Sequence, residues 1–296
     1  MRVLIIGCGY VGLPLGAELV RLGHEVFGLN RSPDRAPELR ARGIQPLVGD
    51  ITRPETLAAL PPRWDWVVNT VSSSKGGVED YRRVYVQGTR HLLQWLAASP
   101  PRKYASASST SVYGQTDGSL VKETSPTEPA DGLGRTLLAA EQLLLEAARD
   151  TQFSAVILRV AGIYGPGRGH LFLQYLKDQA RITGRGERLL NMIHRDDVVN
   201  CLVAALRSGR AGEIYNAVDD EPVPQIHFFR WLSETLGKNM PPFEVAGEAP
   251  ARKRALTNKK VSNRKLRMEL GCQLRYPTFR QGYSAEIRRL QDAGEL

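Results

Sequence analysis

The stretch that most limits what this chain can fold into is its opening, MRVLIIGCGYVGLPLGAELVRLGHEVFGLNRS. Val3–Ile6 is a run of apolar residues, the pattern of a strand buried on both faces. Gly7, Gly9 and Gly12 follow at GxGxxG spacing. Leu13–Leu22 then carries apolar residues at helical intervals, Gly23 ends that helix, and Glu25–Leu29 reads as a second strand. Strand, glycine loop, helix and strand at this length make a dinucleotide-binding βαβ unit. The glycines allow a tight turn, close approach of backbone to a pyrophosphate, and close packing of helix on strand. The helix N-terminus adds unpaired N–H groups and partial positive charge. Gly7, Gly9, Tyr10, Val11 and Gly12 are therefore expected to bind a dinucleotide.

The end of the second strand selects the cofactor. A site for NAD usually has Asp or Glu there, bonding the ribose 2′-hydroxyl. This chain has Asn30, Arg31 and Ser32, with Arg35 close behind. Guanidinium and hydroxyl groups attract a 2′-phosphate that a carboxylate would repel. NADP is thus expected over NAD.

Downstream, helices at Pro33–Arg42 and Pro54–Leu60 alternate with strands at Ile44–Val48, Asp65–Val71 and Lys103–Ala107. A longer helix covers about Val78–Ala98. This alternation predicts an α/β fold, a Rossmann-type doubly wound parallel sheet with helices on both faces. Ligands in such sheets bind at the carboxyl ends of the strands. The loops at Gly7–Gly12, Asn30–Ser32, Asp50-Ile51, Thr70–Ser72 and Ser108–Ser111 are expected to face one crevice.

The wider composition excludes several classes. No apolar run approaches the ~20 residues that span a bilayer, so no membrane role is expected. Cys8, Cys201 and Cys272 are odd in number, distant in sequence and without metal-ligand spacing. They suit a reducing cytoplasm, and no metal site is expected. Cys8 reads as a small buried side chain. The excess of 40 basic over 31 acidic residues is concentrated in Arg252–Arg267. No nucleic-acid motif or aromatic interleaving accompanies it, so a solvated face or an anion-facing loop is expected, and no nucleic-acid partner.

From residue 104 a family resemblance becomes specific. YASASSTSVYG (104–114) resembles the strand-to-loop segment of the extended short-chain dehydrogenase/reductases, the epimerase/dehydratase family. LRVAGIYGPG (158–167) is similar to that family's LRPxNVYGPG, IHRDDV (193–198) to its VHVDDV, and residues 261–283 to its closing segment. The opening GCGYVGLPLG also resembles that of UDP-sugar 6-dehydrogenases, but nothing downstream supports those much longer proteins. The resemblance implies a cofactor site that adds Asp50 and Ile51 beside the adenine. Thr70, Val71 and Ser72 would lie over ribose and pyrophosphate. Ser108, Val160 and Gly162 would lie toward the nicotinamide. It also implies a catalytic Ser109, three residues before Val112.

The same resemblance exposes departures. The family's YxxxK pair falls on Leu133 and Leu137 of LGRTLLAAE, and neither leucine can titrate or donate a hydrogen bond. Losing general acid–base assistance costs about 10²–10⁴ in rate. Leu190 replaces an Arg that grips the diphosphate of nucleotide-sugar substrates, with Arg188 out of register. Tyr85 replaces an Asn that orders the site. His170, Tyr164 and Tyr113 are candidate substitutes for the missing acid. Asp196 or Asp197 is expected to cap the helix that runs on through Leu206. The helix at about Arg135–Ala148 is apolar nearly all round, so it is expected to be covered on more than its sheet-facing side; the resemblance implies that it and Val78–Ala98 form a homodimer interface, the alternative being cover by a loop of the same chain. The domain reading is residues 1–160 with about 195–220 for the cofactor, and 161–194 with 221–296 as a smaller substrate-side lobe. Turns fall at Glu221–Pro224 and Met240–Phe243, and helices at Pro224–Leu236 and Ser262–Leu270. The chain thus reads as an atypical NADP-binding oxidoreductase or epimerase-like enzyme acting on an unknown small molecule. A non-catalytic NADP(H) sensor is the alternative.

Overall fold

The computed structural model describes residues 1–73, 77–244 and 256–296. Seven strands form one parallel sheet: β1 (Arg2–Ile6), β2 (Glu25–Asn30), β3 (Gln45–Val48), β4 (Trp66–Asn69), β5 (Lys103–Ser109), β6 (Ala155–Val160) and β7 (Glu213–Ala217). Their order is β7-β6-β5-β4-β1-β2-β3. The order reverses beside β1, and at such a switch point strand ends diverge and leave a crevice.

The sequence explains the layers. Val3, Leu4 and Ile5 of β1 are fully buried, because helices cover both faces. One apolar cluster joins α1 (Gly12–Arg21) to one face through Leu15 and Leu19. A second cluster covers the other face through Leu92, Leu96 and Leu144. A third gathers the aromatic residues Tyr164, Phe172, Phe228, Phe229, Phe279 and Tyr283 on the C-terminal side. Val261, Leu266 and Leu270 join the first cluster instead, so the later chain is sewn into the main core.

The helix expected over 78–98 is composite. It begins at Val78–Tyr81, widens to a π segment at Arg82–Gln87, and continues as α2 (Gly88–Leu96). The helix expected at about 135–148 is α3 (Gly132–Asp150), capped by Asp131 accepting the Gly134 N–H at 2.7 Å. The stretch 33–42 splits into a 3-10 turn (Pro33–Arg35) and a short helix (Ala36–Arg40).

Two expectations need correction. The cap of α4 (Arg195–Ser208) is neither Asp196 nor Asp197. His194 takes that role, its Nδ1 accepting the Asp196 N–H at 3.2 Å. Asp197 turns away to accept the Arg275 and Tyr276 N–H groups at 2.6 and 2.9 Å. Cys201 and Cys272, distant in sequence, meet in the fold, their Sγ atoms 3.4 Å from each other as buried free thiols. Nor is the basic stretch a uniformly solvated face. Lys259 is buried and donates to the Tyr113 carbonyl at 2.6 Å, and Lys265 and Arg267 pair with Glu213 and Asp220. Ser74, Lys75 and Gly76, and Arg252, Lys253 and Arg254, lie outside the described residues. Among the described residues no helix is long and apolar enough to cross a membrane, and no His/Cys/Asp/Glu group could hold a metal.

Candidate active site

A cleft of about 740 Å³ opens at the carboxyl ends of β1, β2, β3, β4 and β5. Gly7, Gly9, Tyr10 and Val11 form one wall, Asn30 and Arg31 one end. Asp50, Ile51, Thr70, Val71, Ser72, Ser108, Ser109, Val160 and Gly162 also line it. Gly12 and Ser32 do not. Gly12 lies beneath the loop, and the Ser32 hydroxyl accepts the Asp34 N–H at 3.2 Å to cap the 3-10 turn.

The glycine loop has the form a dinucleotide needs. Gly7 has φ +89°, a left-handed conformation that L side chains rarely adopt. A Cβ on Gly12 would lie 2.3 Å from the Gly7 carbonyl oxygen and 2.8 Å from Thr70 Oγ1. A Cβ on Gly9 would meet nothing within 4 Å. No side chain caps α1; its Leu13 N–H donates to the Gly9 carbonyl at 3.1 Å and Pro14 has none, which leaves the Gly12 N–H for a ligand. These features fit a bound pyrophosphate.

The end of the cleft beside Asn30 and Asp50 is ordered by local bonds. Asn30 Oδ1 accepts the Cys8 N–H at 3.0 Å, and Asp50 Oδ1 accepts both the N–H and hydroxyl of Thr52 at 2.8 Å. Arg35 is directed elsewhere, to Glu38 and the Cys8 carbonyl. Burial pushes the Cys8 thiol up to about 12, so it is no nucleophile.

At the other end stand two serines. The Ser108 hydroxyl donates to Glu141 Oε1 at 2.5 Å. Glu141 and Arg159, 2% and 3% exposed, form a buried ion pair at 2.7 Å. Ser109 Oγ accepts the Ser111 N–H at 3.2 Å. Behind Ser108 a second cavity of about 20 Å³ is lined by Glu141, Tyr85, Thr89 and Leu137. Leu137 is at that cavity, not at the main cleft, and Leu133 is buried in the core.

None of the suggested substitute acids lines the cleft. His170 is exposed at the start of its helix. The Tyr113 hydroxyl donates to Asn216 Oδ1 and accepts from Arg159, both at 2.9 Å. Tyr164 stacks on Tyr283 at 4.3 Å, and burial drives its pKa far upward. The cleft instead includes residues that the motifs did not mark: Arg53, Ser73, Tyr81, Arg83 and Arg168. The Arg168 guanidinium lies 5.0 Å over the Tyr10 ring. Tyr85, flagged only as a departure, also lines it, and its hydroxyl accepts the Ser73 N–H at 3.3 Å. Tyr81 and Tyr85, one helical step apart, stand with ring centroids 4.9 Å apart.

His194 lies under the site between Tyr164 and Tyr276. Burial holds its pKa down, to about 4, with Arg195 adding to the effect and Asp196 opposing it. The unfolded chain therefore binds more protons between about pH 4 and 6.5. Stability is complete above about 6.5 and falls as pH drops toward 4. His194→Asn keeps a capping acceptor and should flatten that part of the stability–pH curve, measured by urea unfolding.

This fold and cleft define a Rossmann-type dinucleotide-binding protein. Residues 3–217 match the model of the NAD dependent epimerase/dehydratase family, and the chain belongs to that family. It is 29% identical to protein YeeZ of Escherichia coli (strain K12) over 286 residues, covering 93% of this chain and 96% of that one. It is 28% identical to a Streptomyces 3-diazoavenalumate denitrifying reductase, covering 97% of this chain and 100% of that one. Among solved structures it resembles DesIV, the dTDP-glucose 4,6-dehydratase of Streptomyces venezuelae with NAD and TYD bound. The TM-score there is 0.84 at 23% identity, over 99% of this chain and 97% of that one.

Proposed function

We propose that this chain is an NADP-dependent oxidoreductase or epimerase-like enzyme that works without the family's Tyr–Lys pair. The observation that carries the reading is the wall at the β5 end of the cleft. It is polar, built from Ser108, Ser109, Tyr81 and Tyr85, although the two motif positions are leucines. A protein that only bound the dinucleotide would need no such wall. The chain's similarity to a reductase over its whole length supports the same reading.

In this proposal Gly7, Gly9, Tyr10 and Val11 hold the pyrophosphate. Asp50 and Ile51 flank the adenine, and Arg31 with Arg53 meets the 2′-phosphate. Asn30 at the end of β2 offers no carboxylate to repel it. The bound cofactor would supply or accept hydride. Ser109, whose oxygen already accepts the Ser111 N–H, has its own hydrogen to offer a carbonyl oxygen. A panel of carbonyl and sugar-nucleotide compounds tested for NADPH oxidation checks this reading, with ligand-induced thermal stabilisation as the binding control. Binding of NADPH without turnover of any compound favours the sensor reading, to which the buried Leu133 and Leu137 lend support.

The proposal extends to a homodimer through α3 and the helix before it. Leu138, Leu143 and Leu145 are only half-buried in the single chain. Light scattering at micromolar concentration should give twice the 32.8 kDa chain mass; a single-chain mass would contradict it.

A further inference from the structure

Two cysteines meet inside the fold at a place the cleft does not use. The Sγ atoms of Cys201 and Cys272 lie 3.4 Å apart, and neither residue lines the cleft. Cys201 stands in the middle of α4 and is fully buried. Cys272 follows the helix Arg264–Leu270, just past Gly271 at φ +61°, and is 5% exposed. Asp197, one helical turn before Cys201, accepts the Arg275 and Tyr276 N–H groups at 2.6 and 2.9 Å. The backbone after Cys272 is thus already moored to α4 beside the partner thiol. Disulfide sulfurs stand about 2.05 Å apart, so the pair has about 1.4 Å left to close. Side-chain rotation with a small shift of the 271–276 loop supplies that movement.

We propose that Cys201 and Cys272 form an oxidation site, at which a peroxide converts the thiol pair into a disulfide tying α4 to the segment after Gly271. The Cys272 thiolate attacks one oxygen of hydrogen peroxide, the O–O bond breaks, and the other oxygen leaves as hydroxide and takes up a proton. The Cys201 sulfur then attacks the sulfenic sulfur of Cys272. The S–S bond forms, the S–O bond breaks, and the departing oxygen leaves as water with the Cys201 proton. Two thiols lose two electrons and two protons, and one peroxide becomes two waters. Cys272 attacks first because it is the less buried of the two and the more readily ionised. A hydrogen bond from Cys201 holds its thiol below the ordinary cysteine range, with Arg267 adding to the effect. The same bond and full burial push Cys201 up. Cys201 needs no access to the oxidant, since it meets only the sulfenic acid beside it. The bond closes a loop between residues 71 apart in the chain, which restricts the unfolded state and raises stability. Cys8 is the internal control: it is buried, its nearest polar neighbour is the Ile5 carbonyl at 3.8 Å, and it has no sulfur beside it.

The test treats the reduced full chain with hydrogen peroxide, quenches with catalase, unfolds it and labels free thiols with N-ethylmaleimide. Untreated chain takes three labels, one for each cysteine. Treated chain should take one, at Cys8, and its peptide map should show Cys201 joined to Cys272. Dithiothreitol should restore all three. The cross-linked chain should melt about 5–10 °C higher than the reduced one. In Cys201→Ser the sulfenic acid on Cys272 should be captured by dimedone, with no rise in melting temperature, whereas Cys8→Ser should cross-link as the natural chain does. Three labels after peroxide would overturn the proposal, as would a cross-link through Cys8. So would further oxidation of Cys272 in the natural chain without a bond to Cys201, or equal melting of the cross-linked and reduced chains. The peptide map of the natural chain decides the bond whether or not Cys201→Ser folds.

Discussion

Glu141→Ala should destabilise the chain by about 3–5 kcal/mol in urea unfolding. The reason is the charge left behind. Arg159 is 3% exposed, and its guanidinium donates to Glu141 at three contacts of 2.7 to 3.2 Å. Its remaining bonds, to the Tyr113 hydroxyl at 2.9 Å and the Glu123 carbonyl at 3.4 Å, carry no countercharge. Removing the carboxylate thus strands a buried cation and also frees the Ser108 hydrogen. Replacing both partners, Glu141→Leu with Arg159→Met, should restore much of the loss, because two desolvated charges then disappear together. A double replacement as unstable as Glu141→Ala would show that the pair is not the source of the effect.

The second large effect separates two glycines of one motif. Gly12→Ala places a Cβ 2.3 Å from the Gly7 carbonyl oxygen, and backbone must move. Thr70 cannot give way freely, since its hydroxyl donates to that same carbonyl at 2.9 Å. Both stability and dinucleotide affinity should fall, the affinity by about a hundredfold or more, of the order expected when a close contact is overpacked by 1–3 kcal/mol and the cradle is deformed as well. Gly9→Ala should leave the unfolding midpoint unchanged, because its Cβ meets nothing within 4 Å. It projects into the cleft, so affinity alone should fall. Equal unfolding midpoints for the two variants, or full binding by Gly9→Ala, would contradict this geometry.

What the sequence revealed was mostly local. The βαβ opening needs only neighbouring residues: an apolar run, three glycines, a helical period and a second run. The parallel sheet followed from the same alternation. The features it hid depend on residues brought together from far apart or on unusual local geometry. His194 is not a preferred cap, so two carboxylates beside it drew the assignment; Asp197 instead serves the backbone at Arg275 and Tyr276. Cys201 and Cys272 are 71 residues apart in the chain yet meet across α4 and the loop after Gly271. Lys259 sits in a basic run and is buried all the same, because the Tyr113 carbonyl accepts its ammonium group. Nothing in VEDYRRVYVQ marks the π segment that carries Tyr85 toward the cleft. Arg168 had no signal beyond lying in a glycine-rich loop. Motif positions located the glycine-loop end of the cleft, whereas the far end depends on tertiary packing.

The most direct measurement is a calorimetric titration of the folded chain with NADPH and, separately, NADH. One site per chain and tighter uptake of NADPH are expected, with that advantage lost in Arg31→Ala. No uptake of either nucleotide by folded protein, or tighter uptake of NADH, would contradict it.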